Sequence, residues 1–187
     1  SRKSFTMVND FRDYARTPLP VLESVDLNHL VNEVLALYEQ SGVRIQSQLA
    51  SGLPPVRADV NQIRQVIHNL LTNAQDALAQ DALAQGKFPG EAVPLICIST
   101  ERSRHHVWLR VTDNGSGFPE GIIKRAFEPY VTTKPKGTGL GLAIVKKIVD
   151  EHQGQILIEN LPQLDDVHAA AVRPAGARVS ISLPLAA

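Results

Sequence analysis

The sequence has 187 residues, with 19 Lys and Arg against 19 Asp and Glu, so its formal net charge is zero. That length allows one domain with a hydrophobic core, plus a remainder. Zero net charge argues against binding nucleic acid or anionic lipid by bulk electrostatics, because such contacts need a basic excess. One cysteine, Cys97, excludes an intramolecular disulfide. No apolar run is long enough to span a bilayer, and we expect a cytoplasmic location without membrane contact by this chain.

The opening segment, residues 2–16, places Met7, Phe11 and Tyr14 at positions i, i+4 and i+7. This spacing is typical of a bundle helix that packs against a partner helix, either upstream or on another copy. Pro18 and Pro20 end the pattern. We therefore predict a domain boundary that divides the chain into residues 1–18 and 19–187, and we treat the chain as a fragment of a longer protein.

The rest of the chain alternates between helical and strand patterns. Asp26 and Asp59 are the predicted N-caps of two helices, the first ending near Gln40. The second continues into a duplicated QDALA at residues 75–84; no role is assigned to the insertions at 79–90 and 161–175. Further predicted elements are a strand over 43–49, strands Leu95–Ser99 and His106–Thr112, a long loop over 113–139, a helix over about 140–152, and a hairpin of Gln155–Glu159 with Arg178–Leu183. This order predicts an α+β fold with helices on one face of a mixed or antiparallel sheet.

Two polar segments follow apolar elements. Asn69 and Asn73 share one face of the second helix, and Asp76 lies nearby. Amide oxygens suit Mg²⁺, but a polar stripe that merely faces water is the alternative. At the end of a strand, Asp113 can accept a hydrogen bond from an exocyclic amine, and Gly115 lets a flat ring approach the backbone, as does Gly117. An ordinary Asp-Asn-Gly turn is the alternative there.

The long loop and the helix after it contain the other two segments. Phe127 and Tyr130 can anchor a lid, and Lys134 can reach a phosphate, although a solvated lysine is the alternative. Gly137, Gly139 and Gly141 precede a helix N-terminus, where free N–H groups and the helix dipole favour a phosphate.

In order and spacing, these motifs resemble the N, G1, F and G2 boxes of the sensor histidine kinase ATP-binding domain, a member of the GHKL group with the Bergerat fold. The motifs are Asn-x-x-x-Asn-Ala, Asp-x-Gly-x-Gly, Phe-Glu-Pro-Tyr-x-Thr-Thr-Lys and Gly-Thr-Gly-Leu-Gly-Leu. Gly176-Ala177-Arg178-Val179 is similar to a final Gly box. The resemblance covers about 26–184, and the opening segment is similar to the end of the dimerisation hairpin in nitrogen-regulation kinases of the NtrY/NtrB type.

The resemblance implies a two-layer α/β sandwich that binds ATP and Mg²⁺. It implies that Asn73 is the metal ligand, that Asn69 contacts phosphate or metal-bound water, and that Asp113 reads adenine. Asp76 stands where many relatives have a basic residue, so the triphosphate would rely more on Lys134. The remaining implied nucleotide contacts are Gly115, Gly117, Thr133, Gly137, Thr138, Gly139, Leu140, Gly141 and Leu142.

The implied activity is that of an ATP-dependent protein histidine kinase, which relays phosphate to a response regulator receiver domain. The resemblance also implies that the full-length protein is a homodimer and allows it an anchor in the inner membrane. ATP hydrolysis, as in Hsp90, gyrase and MutL, is the first alternative, but those proteins have a Glu where this chain has Asn69. A nucleotide-gated regulatory module is the second. None of the six histidines is in a His-Glu-x-x-x-Pro setting, so we expect no self-phosphorylation.

Overall fold

A five-stranded mixed sheet forms one layer of the computed structural model, which describes Ala15 and residues 18–85, 93–131, 141–162 and 174–187. In the sheet order β2-β4-β5-β7-β6, β2 runs parallel to β4 and the other neighbours are antiparallel. A separate two-stranded sheet pairs β1 with β3. The strands are β1 (Glu23–Val25), β2 (Arg44–Gln48), β3 (Val56–Ala58), β4 (Leu95–Arg102), β5 (His106–Asp113), β6 (Ile156–Pro162) and β7 (Pro174–Pro184).

The described helices are α1 (Leu27–Ala36), α2 (Val60–Gln85), α3 (Glu120–Ile123) and α4 (Gly141–Glu151). Helix α2 is central, because it contacts α1, α4, β4 and β5. Its apolar positions recur with the helical period and enter one core with alternate residues of the central strands. The largest fully buried side chains are Leu27, Leu30, Ile63, Ile67, Leu70, Leu71, Ile96, Ile98, Leu109, Ile148 and Ile181. The α+β prediction is therefore confirmed.

The two predicted N-caps are present. Asp26 accepts a hydrogen bond from the backbone N–H of His29 at 3.0 Å, and Asp59 accepts from Asn61 at 3.0 Å and Gln62 at 3.1 Å. Helix α1 is shorter than predicted, because i→i+3 hydrogen bonds tighten the chain from Leu37 onward, while Tyr38 stays buried. The duplicated segment is helical, so α2 extends through it to Gln85.

Several elements differ from the predicted ones. The β1–β3 pair and the four-residue α3 were not predicted, because such short elements leave no periodicity to recognise. The hairpin strands β6 and β7 are longer than expected. The predicted opening helix, apart from Ala15, and the loop over 163–173 lie outside the described residues. Among the residues that are described, no helix is both long and apolar enough to cross a membrane.

Candidate functional site

Asp113 ends β5 on the buried side of the sheet. It continues the alternation of Val107, Leu109 and Val111, and only 6% of it is exposed. Its carboxylate accepts hydrogen bonds from the backbone N–H groups of Gly115, at 2.9 Å, and of Ala177. Burial raises the pKa of Asp113 to about 6, the two N–H donors oppose this rise, and the nearby charge of Asp81 adds to it. The result is a buried carboxylate that is ionised at neutral pH.

Gly176, on β7, lies against the backbone of Asp113 at the end of β5. Its φ is +126°, and a Cβ added there would lie 1.7 Å from the Asp113 carbonyl oxygen. Both the backbone conformation and the close approach exclude a side chain at this position. The final glycine motif therefore has a structural explanation, since it lets β7 pass next to the end of β5.

The turn after β5 is held by side chains on both sides. Asn114 accepts from Leu95 N–H at 2.8 Å and donates to the Val93 carbonyl at 2.9 Å. Asn160 on β6 accepts from the N–H of Phe118 at 2.7 Å and donates to its carbonyl at 2.9 Å. On the α2 side, Asp81 accepts from both the N–H and the hydroxyl of Ser116, at 2.7 and 2.6 Å.

In this turn, Asp81 and Asn160 occupy the space into which a side chain at Gly115 or Gly117 would project. A Cβ at Gly115 would lie 2.5 Å from Asp81 Oδ2, and a Cβ at Gly117 would lie 2.7 Å from Asn160 Oδ1. Gly117 also has a φ of +85°. Protein side chains, rather than open space for a ring, therefore occupy these positions, and the nucleotide contacts of both glycines stay predictions.

Helix α2 leads from the turn after β5, which Asp81 contacts, towards the start of α4. Asn69, Asn73 and Asp76 are half-buried side chains of α2. A Cβ at Gly141, the first residue of α4, would lie 3.5 Å from Asn73 Oδ1. The structure thus brings the Asn73 amide next to a helix N-terminus, where unpaired N–H groups and the helix dipole favour an anion. The described residues contain no cluster of three His, Cys, Asp or Glu side chains suited to a metal ion.

Part of the predicted site lies outside the described residues: Thr133, Lys134, Gly137, Thr138, Gly139 and Leu140. Leu142 and Phe127 are partly buried and pack against the core, and the nucleotide contact of Leu142 stays a prediction. Tyr130 is half-exposed with a φ of +66°. The predicted lid therefore starts from a packed Phe127, and its closure over a ligand stays a prediction.

Sequence reasoning missed two side chains of this site, Asp81 and Asn160. A signal for Asp81 was available, because it follows the buried Ala74 and Leu78 at helical spacing and so falls on the core face of α2. Nothing in the sequence near Asn160 indicates its pairing with Phe118, which is 42 residues away.

Together, the site offers a buried acceptor at one end and amides beside a helix N-terminus at the other.

Comparison with known proteins places these features in a family. Residues 58–187 match the histidine kinase-, DNA gyrase B- and HSP90-like ATPases. The chain is 35% identical over 162 residues to the nitrogen regulation protein NtrY of Azorhizobium caulinodans; the match covers 84% of this chain and 20% of NtrY. The chain therefore spans about a fifth of the length of that relative.

Two solved structures cover nearly the whole chain. Full-length ShkA in complex with AMPPNP has a TM-score of 0.73 at 25% identity, with 97% of this chain and 35% of ShkA covered. The histidine kinase ThkA in complex with the response regulator protein TrrA has a TM-score of 0.73 at 26% identity, with 99% and 48% covered.

Proposed function

Because the chain belongs to the histidine kinase-, DNA gyrase B- and HSP90-like ATPases, we propose that it binds Mg²⁺ and ATP and presents the γ-phosphoryl group to a histidine on an upstream helical hairpin. Family membership confirms the predicted resemblance to sensor histidine kinases, among them NtrY. The observation that carries the proposal is a pair of polar groups in one site. The Asp113 carboxylate is buried at the end of β5, and the Asn73 amide of α2 lies beside the first residue of α4.

At the nucleotide end, Asp113 accepts a hydrogen bond from the exocyclic amine of adenine. Its pKa of about 6 leaves the carboxylate charged at neutral pH, and a charged acceptor makes the stronger hydrogen bond. Guanine carries a carbonyl oxygen at the corresponding ring position, which would face the carboxylate without a proton between them. Asp113 therefore favours adenine over guanine.

At the phosphate end, the residues present fit a magnesium ion that is shared with phosphate oxygens. Asn73 would hold the ion through its amide oxygen, and Asn69 lies one helical turn away to contact phosphate or a metal-bound water. The ion would neutralise phosphate charge. The N-terminus of α4 orients the phosphates, and we assign the glycines from Gly137 to Gly141 to the same task. We also assign Thr133, Lys134 and Asp76 to nucleotide binding, as the family resemblance implies.

The acceptor of the phosphoryl group is an imidazole rather than water. Asn69 occupies the position one turn before Asn73, and an amide cannot take a proton from a water molecule. Transfer then depends on positioning and on charge neutralisation, with the acceptor histidine as nucleophile. This favours a kinase over an ATPase whose main reaction is hydrolysis.

The wider role follows from the relatives. The ThkA structure contains a response regulator protein, and we propose that the phosphoryl group of this chain's hairpin likewise passes to an aspartate of a receiver domain. We propose that the full-length protein is a homodimer joined by its hairpin, to which residues 1–18 contribute, with its ATP-binding part, residues 19–187, in the cytoplasm and an anchor in the inner membrane.

Radiolabelled ATP tests this proposal. The chain is incubated with γ-labelled ATP and Mg²⁺, alone and with a purified hairpin from a sensor histidine kinase relative that carries the acceptor histidine. We expect acid-labile label on the hairpin only, and none when its histidine is replaced by alanine. Stoichiometric acid-labile label on the 187-residue chain alone would contradict the assignment of the acceptor, and labelled phosphate without labelled hairpin would indicate an ATPase.

A further inference from the structure

Asp81 lies in the last part of α2, at a position where the helical pattern calls for an apolar residue. It follows Ala74 and Leu78 on the buried face of the helix, and only 9% of it is exposed. A buried carboxylate is costly unless hydrogen-bond donors surround it. Its donors come from Ser116, which is 35 residues further along the chain.

Each oxygen of Asp81 has its own donor on the turn after β5. Oδ2 accepts from the Ser116 N–H at 2.7 Å, and Oδ1 accepts from the Ser116 hydroxyl at 2.6 Å. The preceding N–H, that of Gly115, donates to Asp113 at 2.9 Å. Two successive N–H groups of the turn are thus held by two different carboxylates, one from α2 and one from β5.

The two carboxylates meet on one side of Gly115. A Cβ placed there would lie 2.5 Å from Asp81 Oδ2, 3.0 Å from Asp113 Oδ1 and 3.5 Å from the Leu78 side chain. Any side chain larger than that of glycine would push Asp81 away from the turn. Gly115 therefore makes room for Asp81 beside Asp113.

Asp81 also acts on Asp113 through its charge, because a nearby negative charge disfavours the ionised form of a carboxyl group. Asp81 raises the pKa of Asp113, in addition to the effect of burial. The other elements packed against Asp113 contribute little charge among the described residues: β4 places Ile96 opposite it, and Arg178 on β7 pairs with Glu159 and Thr112.

We propose that Asp81 is a positioning residue of the nucleotide site, which fixes the turn after β5 through Ser116 and places a second negative charge beside Asp113. This inference rests on the proposed reading of adenine by Asp113. It gives a function to the duplicated segment, because Asp81 comes from its second QDALA copy. The first copy supplies Asp76, five residues earlier on the helix.

Two substitutions separate the two effects of Asp81. Asp81→Ala removes both the hydrogen bonds and the charge. Asp81→Asn keeps an oxygen for the Ser116 N–H and an amide that can donate to the Ser116 hydroxyl, while the charge is lost. Asp150→Ala is the matched control, because Asp150 is an exposed helical aspartate paired with Lys146 at 2.7 Å, away from the turn.

The measurement is the affinity for Mg²⁺·ATP between pH 5 and pH 8, by calorimetry on the whole chain. At pH 8 we expect Asp81→Ala to bind about tenfold more weakly, the scale of a lost hydrogen bond to a charged group, and Asp81→Asn to bind within about twofold of the parent. The parent affinity should fall below pH 6, and the midpoint of that fall should move to lower pH in Asp81→Asn.

The outcomes distinguish this inference from the proposed function. If the parent and Asp150→Ala bind no ATP, the proposed function fails. If both bind and Asp81→Ala binds equally well at every pH, the inference is overturned. Asp81→Asn provides an independent test if Asp81→Ala does not fold: an unshifted midpoint overturns the inference, and a lowered midpoint with retained affinity supports it.

Discussion

Asp59 lies between β3 and α2, Asp113 is the last residue of β5, and the fold affects the charges of these two carboxylates in opposite ways. Asp59 accepts hydrogen bonds from the N–H groups of Val21, Asn61 and Gln62, at 2.9 to 3.1 Å. Burial alone would raise the pKa of Asp59, but these donors outweigh it, and the pKa lies below its usual value. Asp113 is buried more deeply, and its pKa rises to about 6 despite two donors.

The difference separates a carboxylate that stabilises the fold from one that is kept for a ligand. Folding favours the charged form of Asp59, since its acceptors are satisfied by a helix N-terminus. Folding disfavours the charged form of Asp113, so a further hydrogen-bond donor on a ligand would relieve part of that cost. Strongly shifted pKa values are common at functional sites for this reason.

Asn73→Ala should have the largest effect of the substitutions considered. Asn73 lies on α2, the helix that Asp59 caps, so the two substitutions compare a ligand site with a cap on the same helix. We propose that the half-buried Asn73 amide holds the ion, so we expect loss of Mg²⁺-dependent ATP binding and of phosphotransfer. The variant should still fold, because the Asn73 side chain is only half-buried and alanine is compatible with the helix. Calorimetry and urea unfolding measure the two properties. Phosphotransfer near the parent rate would place the metal ligand elsewhere.

Asp59→Ala should have the converse effect. Loss of the cap should lower the free energy of unfolding by about 1–2 kcal/mol, while ATP affinity of the folded protein is kept. The backbone N–H of Asp59 still donates to His152 Nε2, at 3.0 Å, so this second connection survives. Urea unfolding checks the change, with Asp150→Ala as the control. An unchanged stability would show that water replaces the cap without cost.

The pH dependence of stability should show the two carboxylates with opposite signs. The lowered pKa of Asp59 contributes stability that is present above about pH 4 and is lost as pH falls through the folded-state pKa. The raised pKa of Asp113 contributes stability that is present below about pH 4 and is lost as pH rises through about 6.

Asparagine variants of each residue isolate these contributions in unfolding experiments without nucleotide between pH 3 and pH 8. As the pH falls from about 6 to about 4, protonation of Asp113 should stabilise the parent, and Asp113→Asn should lack this gain in stability. Asp59→Asn keeps a capping oxygen. It should lack the loss of stability that the parent shows as Asp59 becomes protonated at lower pH. Parallel profiles for the parent and Asp113→Asn would contradict the shifted pKa of Asp113.

What could be predicted from the sequence was local. The cap at Asp59 and the alternation that buries Asp113 depend on neighbouring residues, and both are present. The shared face of Asn69 and Asn73 follows from the helical period in the same way. These features need no knowledge of how distant segments meet.

The features that were missed depend on distant segments. Asp81 meets Ser116, Asn160 meets Phe118, and β1 pairs with β3 across about thirty residues of chain. His152 is likewise buried, with its ring bonded to the Asp59 N–H and the Ile148 carbonyl. Such contacts are set by the assembled fold.

Calorimetry of ATP and GTP binding to the parent and to Asp113→Ala tests the central claim most directly, namely that the buried carboxylate reads adenine. In the presence of Mg²⁺ we expect the variant to bind ATP more weakly by ~1.5–3 kcal/mol, roughly 10- to 150-fold, since it loses a hydrogen bond to a charged group. The parent should prefer ATP to GTP. Unchanged ATP affinity in the variant, with GTP bound equally well, would contradict the assignment of Asp113.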